Sequence, residues 1–68
     1  MSRKEAFKQA QRDALLHRRT CSVLEGSVHI FSCYQVAYND SPEFNDLLSR
    51  GYRVVTTYDS KGVQVFAQ

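Results

Sequence analysis

The last part of the chain contains the stretch that decides the fold: Tyr52-Arg53-Val54-Val55-Thr56-Thr57-Tyr58, then Asp59-Ser60-Lys61-Gly62, then Val63-Gln64-Val65-Phe66-Ala67. Its two outer parts are rich in β-branched and aromatic residues, which favour strands. Its middle part has Asp first and Gly last, as a type I turn prefers. This stretch therefore predicts an antiparallel hairpin with a tight turn at residues 59–62.

A short helix is predicted just before this hairpin, over residues 42–50. Pro42 suits the first helical position, and Ser41 can cap the helix N-terminus. The phenylalanine and the two leucines of this segment form an apolar stripe. Gly51 supplies the left-handed residue that ends a helix. The predicted order of this half is therefore helix, strand, turn and strand.

Two further strands are predicted upstream, at residues 20–24 and 28–36, where β-branched and aromatic residues alternate with polar ones. Glu25-Gly26 lies between them and predicts a tight turn. In that arrangement Cys21 lies opposite Ile30, and the two strands form a second hairpin.

The first nineteen residues form a basic block. They hold six Lys and Arg residues against Glu5 and Asp13, a formal charge of +4, whereas the other 49 residues carry −2. Ser2 and Glu5 have the spacing of a capping box, and residues 1–24 contain no Gly or Pro. The block therefore predicts a basic helix from about Arg3 to His17.

This predicted helix has a thin apolar side and a basic side. At about 100° per residue, Phe7, Ala10 and Ala14 share one narrow stripe. So little apolar surface leaves the helix marginal alone, and we expect it to pack on the rest of the domain or on a partner. The candidate partner-binding residues lie outside the stripe: Lys4, Lys8, Arg12, Leu15, Leu16 and Arg19.

Together these elements predict an α+β fold in α-β-β-α-β-β order. An antiparallel sheet of three to four strands would carry both helices on one face. We expect a single domain over residues 1–68, with the basic helix in 1–19 and the sheet with its short helix in 20–68, because a chain of this length has room for one modest core. No run approaches the roughly 20 apolar residues of a membrane helix, and the charged start differs from a signal peptide, so we expect a cytoplasmic protein.

Residues 28–68 combine Tyr34-Gln35-Val36, Leu47-Leu48, Gly51-Tyr52-Arg53-Val54 and a hairpin that ends at Phe66. In this combination they resemble small bacterial and phage domains of unknown function with β-α-β-β order. The resemblance implies the fold of this part and no functional residue, because the pattern is mainly one of packing. In size, charge and lack of catalytic motifs, the chain is also similar to phage or prophage accessory proteins that bind a host factor.

Four residues of the types that bind zinc occur with a repeated spacing, His17-x-x-x-Cys21 and His29-x-x-x-Cys33. On a strand, His29 and Cys33 would lie about 13 Å apart, too far to share one metal. The cysteines are not opposite each other in the predicted hairpin, so we expect reduced thiols and no disulfide. No nucleophile with an adjacent base and no glycine-rich phosphate loop is visible. We therefore expect no metal, no cofactor and no enzymatic activity.

The basic helix has three interpretations. It could be a solvated side that keeps the protein soluble, a sequence-independent contact with nucleic-acid phosphates, or a surface that docks on a larger, acidic protein or complex. We predict the third, with Leu15 and Leu16 as apolar anchors, in a protein that binds and modulates or inhibits a host protein complex; nucleic-acid binding is the alternative. A homodimer is also open, because the acidic residues near Asp40 could contact the basic helix of a second copy. The tyrosines are expected to cover the sheet, with an exposed binding platform as the alternative.

Overall fold

The computed structural model describes all 68 residues, and its elements run in α-β-β-α-β-β order. The elements are α1 (Arg3–His17), β1 (Cys21–Val28), β2 (Phe31–Tyr38), α2 (Pro42–Ser49), β3 (Arg53–Tyr58) and β4 (Gln64–Ala67). All strand pairs are antiparallel, in the order β2-β1-β3-β4. The predicted fold class and order of elements are confirmed.

Helix α1 begins and ends at the residues predicted from the sequence. The Ser2 hydroxyl accepts a hydrogen bond from the Glu5 amide at 3.2 Å, which satisfies one of the free N–H groups of the first turn. Arg18 comes after the last helical residue in the left-handed conformation, with φ 53°, and its amide donates to the Ala14 carbonyl. This left-handed residue ends the helix and turns the chain into β1.

Helix α1 packs on the sheet through three alanines. Ala6, Ala10 and Ala14 are fully buried, and Phe7 is half-buried at the margin of the contact. Small side chains let the helix backbone lie close to the strands. The alanines form one core with four sheet residues, Cys21, Val23, Val55 and Tyr58. The thin apolar stripe predicted for this helix is therefore its buried side.

The opposite face of the sheet has a separate cover. Ser22, Leu24 and Gly26 point to this face, because side chains alternate along β1. Leu24 is fully buried although α1 lies on the other side. Helix α2 packs against β2, and the Tyr52 ring lies over Gly26. The expectation that both helices cover one face is therefore wrong.

The hairpin of β1 and β2 turns later than predicted. Val28 pairs with Phe31, so the two-residue turn is His29-Ile30, and β1 continues through Glu25-Gly26. His29 has φ 58°, as the first central residue of a mirror-image hairpin turn requires. Gly26 has a different role: a Cβ there would lie 2.6 Å from the Tyr52 ring. The glycine therefore marks a close approach within a strand, and the predicted turn at this position is wrong.

The hairpin of β3 and β4 has its turn where the sequence predicts it. The Gly62 amide donates to the Asp59 carbonyl at 2.9 Å, and Gly62 has φ 76°. The Asp59 carboxylate accepts hydrogen bonds from the amides of Lys61 and Val63. The Gln11 side chain donates to the Gly62 carbonyl at 3.0 Å. This last bond ties the turn to α1.

Candidate functional site

The side of α1 that faces the β3–β4 turn carries a row of cations. Lys4 and Lys8 lie along it, Arg18 stands at the helix end, and Lys61 comes from the turn. We call these four residues the basic strip. None of them forms an ion pair with a carboxylate of the chain, whereas the arginines that do are Arg12, Arg19, Arg50 and Arg53. At 1.5 Å per residue, the helical part of the strip is about 21 Å long.

The β3–β4 turn touches the helix at Gly62. A Cβ at that position would lie 3.4 Å from the Leu15 Cβ, which is van der Waals contact distance. Together with the hydrogen bond from Gln11, this close approach places Lys61 beside Arg18. Two separate elements of the chain therefore build the C-terminal half of the basic strip.

A groove of about 450 Å³ lies at the N-terminal half of the strip. It is lined by Arg3, Lys4, Phe7, Lys8, Gln11 and Tyr58, and we call it the aromatic groove. Three of these residues are cations and none is acidic. The Arg3 guanidinium lies 4.9 Å from the centroid of the Phe7 ring, a cation–π contact that fixes one wall. The groove thus combines an apolar surface with a positive rim.

The structure separates some of the predicted partner-binding residues from this surface. Lys4, Lys8 and Leu15 lie on the strip side of the helix. Arg12 follows Lys8 by one helical turn but does not line the aromatic groove, and its Nε is 3.9 Å from the Asp13 carboxylate. Leu16 is 68% exposed but lies about 100° further round the helix than Leu15, so the two leucines do not form one apolar anchor.

Arg19 is engaged within the chain. It lies past the helix end, its Nη2 is 2.6 Å from the Asp40 carboxylate, and its guanidinium lies 3.9 Å from the centroid of the Tyr38 ring. The hydrogen bond from Arg19 holds the pKa of the Asp40 carboxyl below its usual value. These contacts join the end of α1 to the end of β2. The structure therefore does not bring Arg19 to the basic strip.

Six residues of the surface are absent from the set predicted from the sequence: Arg3, Phe7, Gln11, Arg18, Tyr58 and Lys61. Arg18 could have been found, because it lies at helical spacing from Lys4, Lys8 and Leu15. Lys61 and Tyr58 could not, since their position depends on how the second hairpin packs against α1.

The cysteines and histidines are dispersed. Cys21 pairs with Tyr38 and Cys33 with Gly26, so the predicted pairing of Cys21 with Ile30 is wrong. Cys33 lies five positions before Tyr38 along β2, which is about 16 Å, so the two cysteines are far apart and both thiols are free. Burial raises the pKa of the Cys21 thiol to about 11, which keeps it protonated and unreactive at neutral pH. No three residues of the types that bind metals lie together in the structure.

Comparison of the chain with protein families, with curated proteins and with solved structures found no match. Neither helix has the length and apolar character that a membrane crossing needs. The basic strip and the aromatic groove are the features from which a function can be argued.

Proposed function

We propose that this protein is a non-enzymatic interaction module whose basic strip docks on the acidic surface of a larger protein. One observation supports the proposal most strongly: all three lysines of the chain and Arg18 lie unpaired on one side, while four other arginines contact carboxylates. A row of free charges on a helix steers an acidic partner and sets its orientation. Leu15, 59% exposed within the row, adds an apolar contact.

Apolar surface within the strip favours a protein over a nucleic acid. Phe7 and Leu15 lie among the cations, and neither would be needed for contacts with phosphates. Four cations would also release few counterions from a DNA duplex, so they would bind it only weakly. A host protein complex as the partner, in a phage or prophage setting and in the cytoplasm, belongs to the same proposal and is supported by the similarity of the chain to phage or prophage accessory proteins in size and charge.

The test compares two double variants with the same change in charge. Lys8→Glu/Lys61→Glu reverses two strip cations that come from different elements. Arg12→Glu/Arg50→Glu reverses two exposed cations outside the strip. All four side chains are exposed and their surface ion pairs are weak, so circular dichroism should show both variants folded. Tagged proteins are then used for capture from nuclease-treated bacterial lysate.

The proposal expects a protein that is retained by the wild type and by the Arg12→Glu/Arg50→Glu variant, and lost by the Lys8→Glu/Lys61→Glu variant. Equal retention by all three proteins would contradict it. Recovery of nucleic acid alone, only when nuclease is omitted and with a steep decrease as salt rises, would replace it with the phosphate-binding alternative.

A further inference from the structure

Tyr58 lines the aromatic groove, and its hydroxyl group has no partner in the chain. Tyr58 is only 7% exposed, and no group of the protein hydrogen-bonds its hydroxyl. Every fully buried side-chain polar atom in the structure has a hydrogen-bond partner, so the Tyr58 hydroxyl must reach solvent, and the groove is the opening that Tyr58 lines. Buried tyrosines usually place this hydroxyl against an acceptor.

The charges around this hydroxyl indicate which acceptor of a partner would fit it. Arg3, Lys4 and Lys8 surround the groove, and no carboxylate of the chain lines it. Lysine and arginine have only donors, so the groove offers several donors and excess positive charge. A carboxylate is the complementary group, because hydrogen bonds between ionised partners are stronger than neutral ones.

The rest of the groove is apolar. The half-buried Phe7 ring forms a wall, and the Arg3 guanidinium covers part of this ring. A free carboxylate ion would leave this wall uncovered. An apolar side chain beside the carboxylate would cover it, and a groove of about 450 Å³ is within the range of sites that enclose such groups.

We infer that the aromatic groove binds a short acidic segment of the partner, in which an apolar side chain packs on Phe7 and a neighbouring carboxylate accepts hydrogen bonds from the Tyr58 hydroxyl and from Lys8. The inference rests on the proposed function, because it names the part of the partner that the N-terminal half of the basic strip recognises. Phe7 provides the apolar contact, and Lys8 attracts the carboxylate by its charge. The hydrogen bond from the Tyr58 hydroxyl fixes the orientation of the carboxylate.

The test is a titration of the full chain followed by NMR, with three probes. The first is a nine-residue peptide with one phenylalanine flanked by glutamates in a glycine–serine background. The second has serine in place of the phenylalanine. The third is single-stranded oligothymidine. Backbone amides of residues 3–11 and 58 should shift with the first peptide, and the serine peptide should bind at least about tenfold more weakly, because it cannot bury an aromatic ring.

Protein variants separate the groove from general charge attraction. Tyr58→Phe removes the hydroxyl and keeps the buried ring, and we expect about fivefold weaker binding of the phenylalanine peptide. Lys8→Glu should weaken it about tenfold. Arg12→Glu makes the same charge change on the same helix at a residue that does not line the groove, and it should weaken binding clearly less than Lys8→Glu does.

Equal affinities for the two peptides, or for wild type and Tyr58→Phe, would overturn the groove inference. Such a result, combined with a partner lost only by the Lys8→Glu/Lys61→Glu variant, would leave the proposed function intact and refute the groove alone. Oligothymidine that shifts the same amides and displaces the phenylalanine peptide would refute both.

Discussion

Alanines close the face of the sheet under α1, whereas the opposite face buries hydroxyl groups. On the first face, Ala6, Ala10 and Ala14 lie against strands β1 and β3 with no exposed surface. On the second face, Ser22 and Thr57 are buried, and their hydroxyl oxygens are 2.8 Å apart. The contact of α1 with the first face is therefore close packing of small side chains, whereas the second face depends in part on a hydrogen bond between two hydroxyl groups.

This difference bears on function. An interface made of alanines uses none of the larger side chains of α1 for its central contact. Lys4, Lys8 and Leu15 are consequently free to form the outer surface of the helix. The packing that holds the helix in place and the surface proposed for binding are thus on different sides of one element.

The largest effect is expected from added volume on the alanine face. Ala10 is fully buried between α1 and the sheet, so Ala10→Leu must displace the helix or distort the strands. We expect a loss of about 3 kcal/mol in the free energy of unfolding, at the upper end of the usual range for overpacking. Urea denaturation followed by circular dichroism measures it.

Leu16→Ala is the control for this experiment, because Leu16 is on the exposed side of the same helix and its removal should cost less than about 0.5 kcal/mol. A loss below about 1 kcal/mol for Ala10→Leu would show that the helix is not closely packed, and the contrast between the two faces would disappear.

A smaller effect is expected from a lost hydroxyl on the opposite face. The Ser22 hydroxyl has one proton, which it donates to the Asn39 side-chain oxygen at 2.6 Å, so the Thr57 hydroxyl donates to Ser22. Ser22→Ala breaks both hydrogen bonds, leaves the Asn39 oxygen and the Thr57 hydroxyl without this partner, and should cost about 1–2 kcal/mol.

The double variant Ser22→Ala/Thr57→Val sharpens this prediction. It removes donor and acceptor together, so its cost in urea denaturation should be less than the sum of the two single variants. Strict additivity would mean that the two hydroxyl groups are not coupled, and the opposite face would then be held by packing alone, like the face under α1.

The fold could be predicted where local chemistry decides the structure. Ser2 caps the start of α1, and Gly62 provides the positive φ of the β3–β4 turn. Both residues have these roles at the positions predicted from the sequence. The β1–β2 turn could not be predicted in this way. Gly26 is needed because the Tyr52 ring lies against it, a contact between distant parts of the chain. His29 adopts a positive φ, which is uncommon for any residue other than glycine, and His29-Ile30 is not a typical hairpin-turn pair, so the sequence contains no clear sign of the true turn.

The candidate site was predictable in part for the same reason. Helical spacing places Lys4, Lys8 and Leu15 on one side, and the structure agrees. The same spacing could not show that Arg19 lies past a left-handed Arg18 and binds Asp40. It also could not show that Tyr58 lines a groove with Lys4 and Lys8, because that position depends on the packing of β3 under α1.

The smallest effect is expected at Glu25. This residue of β1 lies on the face of the sheet under α1, beyond the buried apolar side chains of the strand. Its carboxylate accepts hydrogen bonds from Arg53, at 2.8 Å, and from the Tyr34 hydroxyl, also at 2.8 Å. These bonds, that of Arg53 above all, hold the pKa of Glu25 below its ordinary value of 4.5. A carboxyl whose pKa is lower in the folded state stabilises the fold above its unfolded pKa. That stability is lost as the pH falls through the folded pKa.

The melting temperature of the wild type should therefore decrease as the pH is lowered from about 5 to about 3, and Arg53→Gln should reduce this dependence. The variant should melt below the wild type at pH 7, and the two should converge in acid, where Glu25 is protonated in both. Tyr34→Phe should act in the same direction with a smaller effect, because Tyr34 contributes less than Arg53 to the lowered pKa of Glu25. Parallel curves for wild type and Arg53→Gln would show that packing, and not this ion pair, holds the end of the alanine face.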